Sequence, residues 1–437
     1  MVWPSRLSRR EFLRRGAVLA AVGPDLVTAG PDDAARYLEA ARRLTDTFQS
    51  TFWDPAARMY RAPQRSAETV DSDPQHNNGY VLWPSVEAFH ALVEANRSLP
   101  GRYRAALREV FGGLERYFDA ERKAYNAWLN FPGNNDTYYD DNAIVVIALT
   151  KAFRVTRAKA YIDRAWDVMS RFCLSGWDDG EPGGVRWGTD PTRAGTADRA
   201  ACSTGLAALA ALLLADTGVA VESNIEWGRR ALQWLVEHLL DTDGLVMDAL
   251  EPPDWRLRRV KWTYNTGIAI CAHVLLYRLA TDTRALGIAR RLADATLHRG
   301  GALYDSLVHD MEHRFLYDSS YFVPWVIEGW LALYRETRDP LLLREAQRHA
   351  DFALDYVRDP ADGLFFRNWR LWRISEEQLR MWERLTGQEG HLDPDEDERS
   401  KASGHLALPV AQRPLVKTLL ANAGCARLLW LVGRASR

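Results

Sequence analysis

The sequence predicts an all-α protein, an (α/α)6 barrel of six inner and six outer helices. Three observations carry this. Stretches apolar on every face alternate along the chain with helical stripes that have one apolar side. Short polar joints between the members of each pair recur roughly every 55–65 residues, the fixed period of a helical repeat. The fully apolar members have no solvent face, so a closed ring suits them better than an open solenoid.

In order, a helix is expected from about Asp33 to Phe48, followed by a pair at Tyr80 to Val93 and Arg104 to Phe118. Ala143 to Ala148 is apolar all round. Past Val155-Thr156-Arg157, Tyr161, Ile162, Ala165, Trp166, Met169 and Phe172 form one stripe. Gly205 to Leu214 is nearly all Ala and Leu, and Val221 to Leu240 is striped. Gly267 to Leu276 is apolar and Arg284 to Leu297 striped. Val323 to Leu333 is apolar apart from Glu328, with Pro324 suited to a first turn, and Pro340 to Val357 is striped. A last apolar helix runs from about Pro414 to Leu431. The joints are Thr156-Arg157, Asp216-Thr217-Gly218, Thr281-Asp282-Thr283 and Thr337-Arg338-Asp339.

The 437 residues are 47% hydrophobic and 26% charged, with a formal net charge of −2. That is enough chain for a large core, and it carries no basic excess to neutralise nucleic-acid phosphates. Residues 1–30 read as a targeting segment. Ser8-Arg9-Arg10-Glu11-Phe12-Leu13 has the form of a twin-arginine signal; the apolar run Gly16 to Val22 is too short to span a bilayer, and Val27-Thr28-Ala29 suits cleavage. The expected mature chain is one domain, 31–437, monomeric, without a stable membrane span, and exported to the periplasm or beyond. None of the four cysteines is in a Cys-x-x-Cys pair, and Cys202, Cys271 and Cys425 read as buried, unpaired thiols. Near 374–412 lies a charged insertion, with Asp393-Pro394-Asp395-Glu396-Asp397-Glu398, read as a solvated segment or, alternatively, a lid.

The chemistry points to Tyr138-Tyr139-Asp140-Asp141-Asn142-Ala143. Two adjacent carboxylates are the minimum equipment for cleaving a glycosidic bond, one ionised and one protonated. The plain alternative is a helix cap at Asp140 and a first-turn acid at Asp141. The long connections favour the first reading, because each enters the N-terminal end of an inner helix and a barrel gathers them on one face. They carry Asn77, Tyr80, Trp83, Tyr139, Trp187, Asp248, Tyr264 and Asn265, amides and a carboxylate suited to sugar hydroxyls and aromatics suited to ring faces.

With Gly183-Gly184-Val185-Arg186-Trp187, Asp243-Gly244-Leu245-Val246 with Asp248, and Lys261-Trp262-Thr263-Tyr264-Asn265-Thr266-Gly267, the chain from about 35 to 430 resembles family 76 of the glycoside hydrolases, the bacterial and fungal α-1,6-mannanases. The resemblance implies an (α/α)6 barrel, a retaining mechanism on an α-mannan, Asp140 as nucleophile, Asp141 as general acid/base, and neither metal nor cofactor. The chain departs from the family pattern at Ile144, where an aromatic is usual, in Arg199 to Gly205, where asparagines are frequent, and in the acidic insertion.

Three rivals stand beside this. A sugar epimerase on the same barrel needs paired histidines as acid and base; His76 lies on a suitable loop, but the entries near Tyr264 and Tyr321 lack one. A non-catalytic glycan-binding barrel would keep the aromatics without needing both aspartates. An unsaturated-uronyl hydrolase differs mainly in substrate.

Overall fold

The computed structural model describes residues 31–63 and 79–437, apart from 372, 394 and 402. The 1–30 signal, His76 and Asn77 lie outside the described residues. Among the described residues thirteen α-helices run in order as α1 (Pro31–Phe52), α2 (Leu82–Ser98), α3 (Arg104–Leu114), α4 (Tyr139–Thr156), α5 (Lys159–Arg171), α6 (Ala201–Ala215), α7 (Val221–His238), α8 (Thr263–Ala280), α9 (Thr283–Leu297), α10 (Val323–Thr337), α11 (Pro340–Phe352), α12 (Glu376–Thr386) and α13 (Leu419–Ala435). Small antiparallel sheets decorate the loops: β1 (Trp53–Asp54) with β2 (Met59–Tyr60), β3 (Phe118–Asp119) with β4 (Ala124–Tyr125), β5 (Arg199–Ala200) with β6 (Ala249–Glu251) and β7 (Arg256–Arg258), and β8 (Asp318–Ser319) with β9 (Asn368–Trp369).

The inner ring runs α2, α4, α6, α8, α10, α13 and back to α2. Outside it, α3, α5, α7, α9 and α11 each pack on the inner helix preceding them, and α1 packs on α13, so the first and last helices close the barrel. The (α/α)6 expectation is therefore correct.

Hydrogen bonds show why the loops converge. The first amides of a helix have no partner within it. Here the start of each inner helix is satisfied by the next loop round the ring. Leu82 N donates to Ala127 O (2.9 Å), Tyr139 N to Trp187 O (2.9 Å) and Ala201 N to Asp248 O (2.8 Å). Thr263 N donates to Asp318 Oδ2 (2.7 Å). Ser320 N, just before α10, donates to Arg367 O (2.7 Å), and Leu419 N to Ala62 O (2.7 Å), which completes the circle. The fourth residue of five inner helices is a buried polar group that ties down the loop preceding its own helix. Ser85 Oγ donates to Val81 O (2.8 Å), while Asn142 brackets Tyr125, accepting from its N (2.7 Å) and donating to its O (2.9 Å). Thr204 accepts from Val185 N (3.1 Å), Thr266 from Val246 N (3.0 Å) and Asn422 from Phe365 N (2.8 Å). Val326 of α10 is the apolar exception.

The polar joints are turns at the opposite end. Arg157, Thr281 and Arg338 close α4, α8 and α10 in the left-handed conformation, and Gly218 (φ 88°) turns the chain between α6 and α7. Asp282 and Asp339 then cap α9 and α11. One glycine sets a helix spacing: a Cβ on Gly267 of α8 would lie 2.4 Å from Val326 N of α10, so these two backbones touch.

Two expectations need correction. The last inner helix begins at Leu419, not near Pro414, with Thr418 accepting from Ala421 N at 3.3 Å as its cap. The inner helices are also less uniformly apolar than the pattern implies. Every residue of α6 is buried and apolar or small, but the barrel interior holds Glu87, His90, Lys151, Glu328 and Arg427. These charges are tolerated because they pair with one another. Arg427 of α13 donates to Glu87 of α2 (2.6 Å) and Glu328 of α10 (2.7 Å); Lys151 of α4 donates to Glu328 and lies 2.9 Å from His90 Nε2. The acidic run near 395 is anchored as well as solvated. Buried Glu398 accepts from Asn368 N (2.7 Å), Asp395 pairs with Arg370, and Trp382 of α12 is buried.

Candidate active site

Tyr138 is extended and α4 starts at Tyr139, so Asp140 and Asp141 both fall in its first turn, where the helix dipole favours negative charge. Asn142, clamped to Tyr125, fixes that turn. The two carboxyls meet different surroundings. Asp140 Oδ2 accepts from Trp187 Nε1 (3.0 Å) and from Cys202 Sγ (3.4 Å), and its Oδ1 accepts from Asp141 N (3.0 Å). The Asp141 carboxyl accepts no hydrogen bond among the described residues and keeps part of its surface open. Burial raises the Asp140 pKa, opposed by the Cys202, Asp141 amide and Trp187 donors. Burial and the neighbouring Asp140 charge push Asp141 much further up. The arrangement therefore separates two chemically identical groups into a better-solvated anion and a better proton donor.

A chain of contacts extends from Asp140 round the mouth. Tyr264, second residue of α8, is near enough that, after burial, the neighbouring Cys202 and Asp140 raise its pKa. Its ring stacks on Phe322 (centroids 4.1 Å, planes 12° apart), and Phe322 stacks on Trp83 (5.8 Å, 25°), which meets Tyr321 edge-on. Trp187 lies against Tyr138 at 4.9 Å. The structure thus brings Trp83, Trp187 and Tyr264 together with the acid pair.

Asp248 and Asn265 form a second polar group. Asn265 Nδ2 donates to Asp248 Oδ1 (3.4 Å), and Arg258 donates to Asp248 Oδ2 (3.0 Å) while pairing with Asp198 and with Glu251 (2.7 Å). Asn265 Oδ1 is buried with no partner among the described residues. Tyr139 goes elsewhere: it is 4% exposed and stacks on Phe172 (4.6 Å, 11°), so its ring is core. Tyr80 is half-buried with its hydroxyl on Asp54 of β1 (3.0 Å).

Sequence reasoning passed over three residues here. Cys202 reads in the sequence as a core thiol, yet it touches Asp140. Asp318 caps α8 through Thr263 N and Oγ1, both 2.7 Å, and burial pushes its pKa up to about 6. Phe322 links Trp83 to Tyr264. A signal for Cys202 existed. Aligning the inner helices on their polar fourth residue places it second in its helix, as Trp83, Asp140 and Tyr264 are in theirs. No group of His, Cys, Asp and Glu that could hold a metal ion occurs among the described residues, nor does any helix long and apolar enough to cross a membrane.

Barrel and family match together define a glycoside hydrolase. The profile of Glycosyl hydrolase family 76 matches residues 36–353, and the chain belongs to that family. A curated relative, the Meiotically up-regulated gene 191 protein of Schizosaccharomyces pombe, is 30% identical over 414 residues, covering 90% of this chain and 91% of its own. The fold is shared with the GH76 α-mannanase of Bacteroides thetaiotaomicron, at TM-score 0.71 and 18% identity over 93% of this chain and 98% of that one. It is shared too with an inactive variant of the α-1,6-mannanase of Salegentibacter sp. HEL1_6, in which two adjacent aspartates are asparagines and α-1,6-mannotriose is bound. There the TM-score is 0.66 and the identity 16%, over 91% of this chain and 99% of that one.

Proposed function

We propose that the protein hydrolyses α-1,6-linked mannan with net retention, Asp140 attacking the anomeric carbon and Asp141 serving as general acid and then general base. The observation that carries this reading is the asymmetry of the pair: three donors on Asp140, none on Asp141, whose pKa stands much higher. In the first step Asp141 protonates the leaving oxygen as Asp140 forms the glycosyl ester. In the second it deprotonates the water that cleaves the ester. Trp83, Trp187 and Tyr264 offer ring faces at the mouth, and Asp248 offers acceptors for hydroxyls. The α-1,6 linkage is supported by the mannotriose bound in the Salegentibacter relative. The test is a panel of α-1,2-, α-1,3- and α-1,6-linked mannooligosaccharides, with the first-formed anomer read by NMR. Cleavage of the α-1,6 substrates with an α product first is expected. A β anomer first, or no preference for α-1,6, overturns the respective part.

The twin-arginine run at Ser8 to Leu13 supports export. A reporter fused after residue 35 is expected to leave the cytoplasm of a bacterial host, and to stay inside when Arg9 and Arg10 are both changed to Lys. Export that ignores this change counts against the reading.

A further inference from the structure

Cys202 is unlike the other three cysteines. All four are free and buried, but this one sits second in α6, at the barrel mouth, with its sulfur 3.4 Å from Asp140 Oδ2. Ser203 Oγ, the remaining polar neighbour, is farther away at 4.0 Å. Burial and the charges of Asp140 and Asp248 keep the thiol protonated, so it is available as a donor and not as a nucleophile.

We propose that Cys202 is a positioning residue: its thiol donates to Asp140 Oδ2 and, with Trp187, fixes the carboxylate's orientation and favours its ionised form. The proposal rests on the reading of Asp140 as nucleophile. The contact joins two neighbouring inner helices, α6 and α4, at the barrel mouth. Two donors hold one carboxylate oxygen, so the ring of Asp140 contacts is fixed before substrate arrives. The titratable groups facing Asp140 are Asp141 on its own helix, Cys202 on α6 and Tyr264 on α8, with Asp248 of the preceding loop behind the last two. None of these is a cation, so loss of a neutral donor is not masked by a nearby positive charge.

The test compares Cys202→Ala with Cys202→Ser. A hydroxyl keeps the donor to Asp140; a methyl does not. Removing a donor to the anion disfavours ionisation, so Cys202→Ala is expected to move the acidic limb of kcat/KM upward by about half a unit to one unit. Cys202→Ser should leave that limb within a few tenths or lower it. If the alanine variant fails to fold, Cys202→Val fills the space without a donor and supplies the same comparison. Carbon-13 NMR of carboxyl-labelled aspartates in the free enzyme reads the Asp140 titration directly. Matching upward shifts by both methods, absent in the serine variant, support the positioning role. An NMR shift without a kinetic one confirms the hydrogen bond but overturns Asp140 as the nucleophile, and with it the positioning role. If neither method moves in the alanine variant, the positioning role is wrong and Asp140 keeps its own.

Discussion

Asp140→Asn is expected to lose more than about 10⁴-fold in kcat/KM on every α-mannoside, because it removes the carboxylate that forms the glycosyl ester and leaves Asp141 only its acid/base part. Asp141→Asn should lose about 10²–10⁴-fold on natural glycans, and much less on an aryl α-mannoside whose leaving group needs no proton. The amide is nearly isosteric, and Asp141 accepts no hydrogen bond that the change would break. The pH profile separates the roles further. Both pKa values are raised above the ordinary aspartate value of 3.8. Activity should rise as Asp140 ionises and fall as Asp141 loses its proton, giving a bell whose basic limb disappears in Asp141→Asn. The limbs belong to the interacting pair, so removing one carboxylate should also lower the other's apparent pKa. Near-native rates for both variants on α-1,6-mannan would reduce the pair to a helix terminus.

What was legible follows from how each feature is encoded. Apolarity on every face is a local property, so α6 could be read directly from its Ala and Leu run. Joints such as Thr281-Asp282-Thr283 could be read because a left-handed residue followed by a capping aspartate has a short-range signature. The acid pair was visible because its members are adjacent. Cys202 was not, because it sits 62 residues from Asp140 and only the register of two separate helices brings them together. Tyr139 shows the converse. It belongs to the motif in sequence, but the helical turn that presents Asp140 to the mouth points the preceding side chain at Phe172. The interior charges were the least legible. Lys151 and Arg427 each look like a polar interruption of an apolar helix, and their meaning appears only when α2, α4, α10 and α13 meet.

Those interior charges give the largest expected effect on stability. Arg427 is fully buried, lies over the Trp325 ring at 4.3 Å, and binds carboxylates on both neighbours of α13 in the ring. Arg427→Met should cost about 3–5 kcal/mol, since it leaves buried carboxylate uncompensated while roughly preserving volume. The loss should fall chiefly on Glu87. Glu328 keeps Lys151 at 2.5 Å, whereas Arg427 is the cation bonded to Glu87. Burial already raises the Glu87 pKa against the pull of Arg427. Without the guanidinium it rises further, so the folded state of the variant binds more protons than the unfolded chain. Its stability must then fall as pH rises above the unfolded value near 4.5. Denaturant titrations should therefore show a larger deficit at pH 7.5 than at pH 5. Adding Glu87→Gln to Arg427→Met removes the stranded charge and leaves Glu328 paired with Lys151. The double variant should recover much of the loss and lose most of its pH dependence. A deficit equal at both pH values, or a double variant no more stable than the single one, would show that Arg427 contributes by packing on Trp325 and not by closing the ring electrostatically.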